Sequence, residues 1–254
     1  MLMLKNYMLP ILGLINLSFF ALFTIAVKLD IFTQFDFNTT VRIQNHIPPK
    51  LYDNLIQLIP LGSWQVNSIL VFISMLLLRK RFWLIGFAYI TIAVIEIIGK
   101  ELLHHPPPPQ FMLLRFQELN LNPYLIREGV ASYPSGHAAR TAFLSFIWIP
   151  TILFFTKKYI HQITTPTDKP IEIFLPFGFK LTKESSSSYP FQTLLLFTIS
   201  SIFLILSVCF SVSIGIIKVY VGEHWSTDII GGWLLGAGLA LISSTIPQKN
   251  TTPN

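Results

Sequence analysis

Apolar residues gather along this chain in six long stretches, separated by polar clusters: about Met8–Val27, Leu55–Leu78, Phe82–Leu103, Ala138–Phe155, Phe191–Ile217 and Ile229–Ile246. A helix needs ~20 such residues to cross the hydrocarbon core of a bilayer. Its backbone groups must then bond within the segment, because the core offers no water. The pattern predicts an all-α, polytopic membrane protein with six transmembrane helices. The first stretch is longer than the core of a cleavable signal, and no small-x-small site follows it, so it is predicted to remain as the first helix. The 254 residues suffice for one membrane domain over 1–254 and leave no room for a large soluble one. Pro106–Pro109 stop the third helix and force an extended path. Gly232 and Gly236 stand at GxxxG spacing in the sixth, which predicts close packing against another helix of the same chain.

Charge sets the orientation. One set of connections carries Lys5, Arg79, Lys80, Arg81, Lys157, Lys158, Lys169, Lys180, Lys183 and Lys249; the other carries Arg42, Lys50, Arg115 and Arg127. The basic-rich side belongs in the cytoplasm, so both termini are predicted there. The outer loops are then Leu29–Asn54, His104–Tyr133 and about Lys218–Thr227. The cytoplasmic loop Thr156–Pro190, with its serine run Ser185–Ser188, has the composition of a solvated linker.

Composition agrees with a membrane protein. Only 12% of residues are charged and the mean hydropathy is +0.59. The excess of six basic residues is explained by short loops beside apolar segments, so nucleic acid is not an expected partner. A single cysteine, Cys209, excludes a disulfide within the chain and a multi-cysteine metal site; inside an apolar run it is expected to be a buried, inert thiol.

Ionisable groups near a bilayer are costly and ask for a reason. Lys100 ends the third helix. Ser135, His137 and Arg140 open the fourth. Lys218 ends the fifth, and His224 and Asp228 open the sixth. The predicted topology puts all seven on one side at similar depth. His224 and Asp228 are four apart, so on a helix they share a face. A carboxylate on one imidazole nitrogen fixes the tautomer and frees the other as base or nucleophile. Pro134-Ser135-Gly136-His137 suits a helix start, where free N–H groups favour phosphate. Lys100 and Lys218 would add cations to hold an anionic oxygen.

These residues resemble the type 2 phosphatidic acid phosphatase superfamily, whose motifs are Lys-x6-Arg-Pro, Pro-Ser-Gly-His and Ser-Arg-x5-His-x3-Asp. The second stands intact at Pro134–His137, the third keeps His224 and Asp228, and the first begins at Lys100 and reaches Pro108, so the core motifs span 100–228. The resemblance implies a membrane phosphatase acting on a lipid phosphate at the outer face, with no cofactor and no metal. His224 would attack phosphorus, Asp228 would orient it, and His137 would protonate the leaving oxygen. Lys100, Ser135, the Gly136 N–H and Lys218 would hold the phosphate. Transfer to an acceptor other than water, or phosphate-lipid binding alone, are the alternatives. Size and resemblance suggest a bacterial inner membrane.

The chain departs from the pattern at two arginines. Motif one has Pro107 in place of its arginine, and motif three has Ile217-Lys218 in place of Ser-Arg. Lysine lacks the planar fork of arginine. Arg140, one turn beyond His137, and Arg115 or Arg127 in the outer loop are the candidate substitutes. His104 and His105 are expected to be exposed loop-edge residues, and Glu223 to point away from the site.

Overall fold

The computed structural model describes residues 2–114, 131–153, 173–174, 180–181 and 189–244. Eight helices organise them: α1 (Leu2–Lys28), α2 (Thr33–His46), α3 (Tyr52–Ile56), α4 (Trp64–Leu77), α5 (Phe82–Leu103), α6 (Gly136–Phe146), α7 (Tyr189–Tyr220) and α8 (Ser226–Ile242). Each of the six apolar stretches holds a helix. Three are long and apolar enough to cross a bilayer: Met8–Lys28, Arg79–Leu103 and Phe197–Tyr220; Trp64–Leu77 and Ser226–Ile242 are apolar but shorter. Arg115, Arg127, Lys157, Lys158, Lys169, Lys183 and Lys249 lie outside the described residues. So does most of the loop 156–190, whose described part is a two-residue antiparallel pairing of Ile173 with Leu181 and Phe174 with Lys180.

The outer surface of the helices is apolar. Trp83 is 82% exposed, Phe87 74% and Leu22 65%. In water a continuous belt of this kind would drive association; in a bilayer it meets acyl chains. The inward faces of α4, α5, α6 and α8 pack Val71, Ile85, Ile92, Phe143, Leu235 and Ala240 into one core. Cys209 faces outward, not inward as its apolar run suggested, because its stretch of α7 presents this side away from the bundle.

Small residues bring α6 and α8 together. A Cβ on Gly232 would stand 2.4 Å from the Ser135 carbonyl oxygen, and one on Gly236 would stand 2.0 Å from that of Ala139. The GxxxG pair therefore packs within the chain, with backbone against backbone. On the opposite side α1 crosses α8 as closely: a Cβ on Gly13 would meet the Gly238 carbonyl at 2.7 Å, and Asn16 Nδ2 donates to the Leu234 carbonyl at 2.7 Å.

Two departures from the predicted pattern shape the end of the bundle that carries the site. The second stretch is not one helix. Pro60 lacks an N–H, a 3-10 turn forms over Ile59–Gly62, and Ser63 caps α4 by accepting from Val66 N–H. This break sets Gly62 against His137, whose Cδ2 would lie 3.2 Å from an added Cβ. Secondly, the loop Leu29–Asn54 contains α2. Its buried residues Asp36 and Thr40 are four apart. Gln44 Nε2, four further on, donates to the carbonyls of Met112 (2.7 Å) and Tyr220 (2.9 Å). α2 is thus an amphipathic helix that ties the end of α7 to the proline-rich segment.

Candidate active site

The C-terminal ends of α5 and α7 and the N-terminal ends of α6 and α8 meet at one end of the bundle. The Ser135 N–H donates to the Asp228 carbonyl at 3.0 Å, which fastens the start of α6 to the start of α8. Ser135 is the N-cap of α6, yet its hydroxyl makes no capping bond. It is fully buried and finds no hydrogen-bond partner among the described residues. A buried hydroxyl beside free helix N–H groups is suited to an anionic oxygen. Gly136 follows because there is no space for a side chain: an added Cβ would overlap the Glu96 carboxylate.

His224 and Asp228 do meet, but not as neighbours on a helix face. α8 begins at Ser226, and His224 lies in the turn before it. Gly222, at φ +73°, makes that turn, and a Cβ there would stand 2.1 Å from the Met112 carbonyl. Asp228 then reaches back from the third helical position. Its Oδ2 accepts the Trp225 N–H at 2.8 Å and lies 3.2 Å from His224 Nδ1. One carboxylate both caps the helix and orients the imidazole. Glu96 links Lys100 to Arg140, the His224 N–H donates to the Lys218 carbonyl at 3.3 Å, and Ser135 is tied to Asp228, so Lys100, Ser135, His137, Arg140, Lys218, His224 and Asp228 gather at one end of the bundle.

The cations are not free. Lys100 Nζ pairs with Glu96 at 2.7 Å, and Arg140 Nη1 pairs with the other oxygen of Glu96 at 2.6 Å. Lys218, buried, donates to Glu223. Glu223 therefore does not point away as expected; it lies in the turn, within reach of Lys218. His105 is also not a loop-edge residue. Its ring is 14% exposed and its Nδ1 lies 3.2 Å from Asp228 Oδ1. Burial works against its charge, but the close contact with Asp228 and the Asp228 charge prevail, and its pKa is raised above the usual 6.5.

Glu96 and Asp36 were missed altogether. Glu96 had a signal, since it stands four residues before Lys100 in an apolar helix. Asp36 had none. From α2 its Oδ1 accepts the Thr227 N–H at 2.9 Å and its Oδ2 the Thr227 hydroxyl at 2.5 Å, at the first turn of α8. Burial raises the Asp36 pKa, against the lowering effect of those two bonds.

The fold and the site define a helical membrane protein with a carboxylate-held histidine among paired cations. The chain belongs to the PAP2 superfamily, whose sequence pattern matches residues 69–252. An undecaprenyl-diphosphatase of Sulfolobus acidocaldarius is 24% identical over 199 residues, covering 66% of this chain and 92% of that protein. The crystal structure of a transmembrane PAP2 type phosphatidylglycerolphosphate phosphatase from Bacillus subtilis matches with a TM-score of 0.61 at 19% identity, over 95% of this chain and 98% of the other. At that identity the likeness establishes a shared fold.

Proposed function

We propose that this chain hydrolyses a phosphomonoester or diphosphate of a membrane lipid, through a phosphohistidine on His224 and without a metal. The observation that carries the reading is the buried Asp228 carboxylate on His224 Nδ1, at the start of the same helix pair as the Ser135 hydroxyl, which has no partner among the described residues. Nδ1 donates to Asp228, so Nε2 keeps its lone pair for phosphorus. As the N–P bond forms, the bond to the lipid oxygen breaks, and His137 gives that oxygen a proton. The phosphate brings the negative charge that lets His137 hold a proton among cations. Water then attacks phosphorus, its proton passes to His137, and the N–P bond breaks. Ser135, the Gly136 N–H, Lys100 and Lys218 hold the phosphate oxygens as charge shifts between them.

Arg140 is committed to Glu96 together with Lys100. In this reading it stiffens Lys100 rather than replacing the guanidinium missing at Pro107. The six helices cross the membrane with both termini cytoplasmic, and the site faces the exterior at headgroup depth. The lysine and arginine bias of the loops supports that orientation. Undecaprenyl diphosphate and phosphatidylglycerophosphate are the first substrates to try, a choice that the names of the relatives support.

The test is phosphate release by purified wild type and His224→Ala in detergent with EDTA present, over a panel of both lipid classes and phosphatidate. Release by the wild type that the variant loses supports the reading. Equal release by both proteins, or wild-type release abolished by EDTA, refutes it.

A further inference from the structure

Asp228 is fully buried, and its two oxygens are held unequally. Oδ2 has the Trp225 N–H and His224. Among the described residues Oδ1 has no well-aligned hydrogen bond, and His105 Nδ1 lies 3.2 Å from it. His105 is itself fixed. Its carbonyl accepts the Ser132 N–H at 2.9 Å and the Ser132 hydroxyl at 3.1 Å. Its ring stands edge-on to Tyr133, with centroids 6.3 Å apart. The next carbonyl, of Pro106, accepts the Trp225 indole N–H at 2.9 Å. Because the Ser132 hydroxyl donates to the His105 carbonyl, its oxygen is an acceptor toward Nδ1, at 3.3 Å. Both neighbours of Nδ1 are thus acceptors, and Nδ1 carries the proton.

We infer that His105 is a positioning residue of the phosphate-transfer site: its ring, with Nδ1 3.2 Å from Asp228 Oδ1, pairs with the second oxygen of Asp228 and so fixes the carboxylate against His224. The inference rests on the phosphohistidine reading above. A carboxylate held at one oxygen can turn about its Cβ–Cγ bond, which would swing Oδ2 off His224. Held at both, it presents one plane. A second imidazole on the same carboxylate also adds positive charge two residues from Pro107, in the segment that lacks the motif-one arginine. The charged groups that act on His105 are Asp228, Asp36 and Asp30, from α8, α2 and the turn after α1; His224 shares Asp228 with it.

The experiment measures kcat and KM for wild type, His105→Ala, His105→Asn and His224→Ala, with farnesyl diphosphate in detergent micelles and EDTA. His105→Ala is expected to lower kcat by about 10- to 100-fold, the usual effect of losing an outer partner of a reacting group, with KM within about twofold. Asparagine places an N–H near Nδ1 and is expected to recover most of that loss. Wild-type kcat in His105→Ala, with His224→Ala dead, overturns the inference alone; activity in His224→Ala overturns the reading beneath it as well. A loss in His105→Ala that asparagine does not recover, with a lowered melting temperature, reduces His105 to a structural role and also overturns it. If the wild type does not turn over this probe, 15N-histidine spectra of the folded protein decide: a His105 Nδ1 signal of the protonated type supports the inference, and one of the unprotonated type overturns it.

Discussion

Replacing Gly232 by alanine tests whether the spacing of α6 and α8 sets the rate. The added Cβ would lie 2.4 Å from the Ser135 carbonyl, 2.9 Å from Ala138 Cβ and 3.0 Å from Ala139 N. All three belong to α6 or its cap, and two are backbone atoms that no rotamer change can move. Ordinary contact begins at 3.4 Å, so the start of α6 must retreat by about 1 Å. Ser135 and His137 retreat with it, while His224 and Asp228 stay with α8. A misplacement of about 1 Å between reacting groups costs ~10²-fold in rate, or about 2.7 kcal/mol in barrier. Overpacking of this kind also costs about 1–3 kcal/mol of stability. The assay is kcat for phosphate release at saturating lipid substrate, with thermal unfolding in the same detergent. Gly86→Ala is the control, because its Cβ would meet only the flexible tip of Met75, at 2.8 Å. Its kcat should stay within about twofold of wild type, given that a small shift there touches no reacting group. A Gly232→Ala protein that folds and keeps wild-type kcat would refute the link between helix spacing and chemistry.

Three further outcomes follow from the geometry. Asp36→Ala strands the Thr227 N–H at the start of α8 and should cost about 1–3 kcal/mol, read as a lower melting temperature, whereas Asp36→Asn keeps an acceptor and should cost less. Because burial raises the folded pKa of Asp36 above 3.8, its protonation favours the fold; that contribution is complete below 3.8 and is lost as pH rises through the folded value, a dependence that Asp36→Asn should remove. Arg140→Ala leaves the largely buried Glu96, 13% exposed, with Lys100 alone and should destabilise the protein by about 3 kcal/mol, with kcat falling as Lys100 loosens; unchanged melting would show that the pair is solvated.

Much of this architecture was legible as hydrophobic pattern. Each of the six apolar stretches holds a helix, and three of those helices are long and apolar enough to cross a bilayer, because a run of ~20 apolar residues has few other fates. The glycine pair in the sixth stretch announced its close neighbour. The ends of helices were harder to read. Pro60 and Gly62 break the second stretch, and α2 hides in a loop whose sequence is too polar to stand out beside the spans. The intact Pro-Ser-Gly-His and the His224–Asp228 pair marked the site, but not its mechanics. The four-residue spacing of that pair suggested a helix face; the structure uses a turn and a cap. His105, Glu223 and Asp36 act through partners 123, 5 and 191 residues away along the chain, and only the Glu223 contact is local enough for a sequence to encode.

The pairing of the cations has an electrical consequence. Among the described residues, Lys100 and Arg140 share Glu96, Lys218 has Glu223, and His105 and His224 lie against Asp228, so each of these cations has a carboxylate beside it. Such a pocket projects little field into the surrounding water. Substrate capture should depend only weakly on ionic strength, and a more highly charged headgroup should gain little in arrival rate. Discrimination then rests on contact, on which oxygens reach Ser135 and the first N–H groups of α6, rather than on long-range attraction.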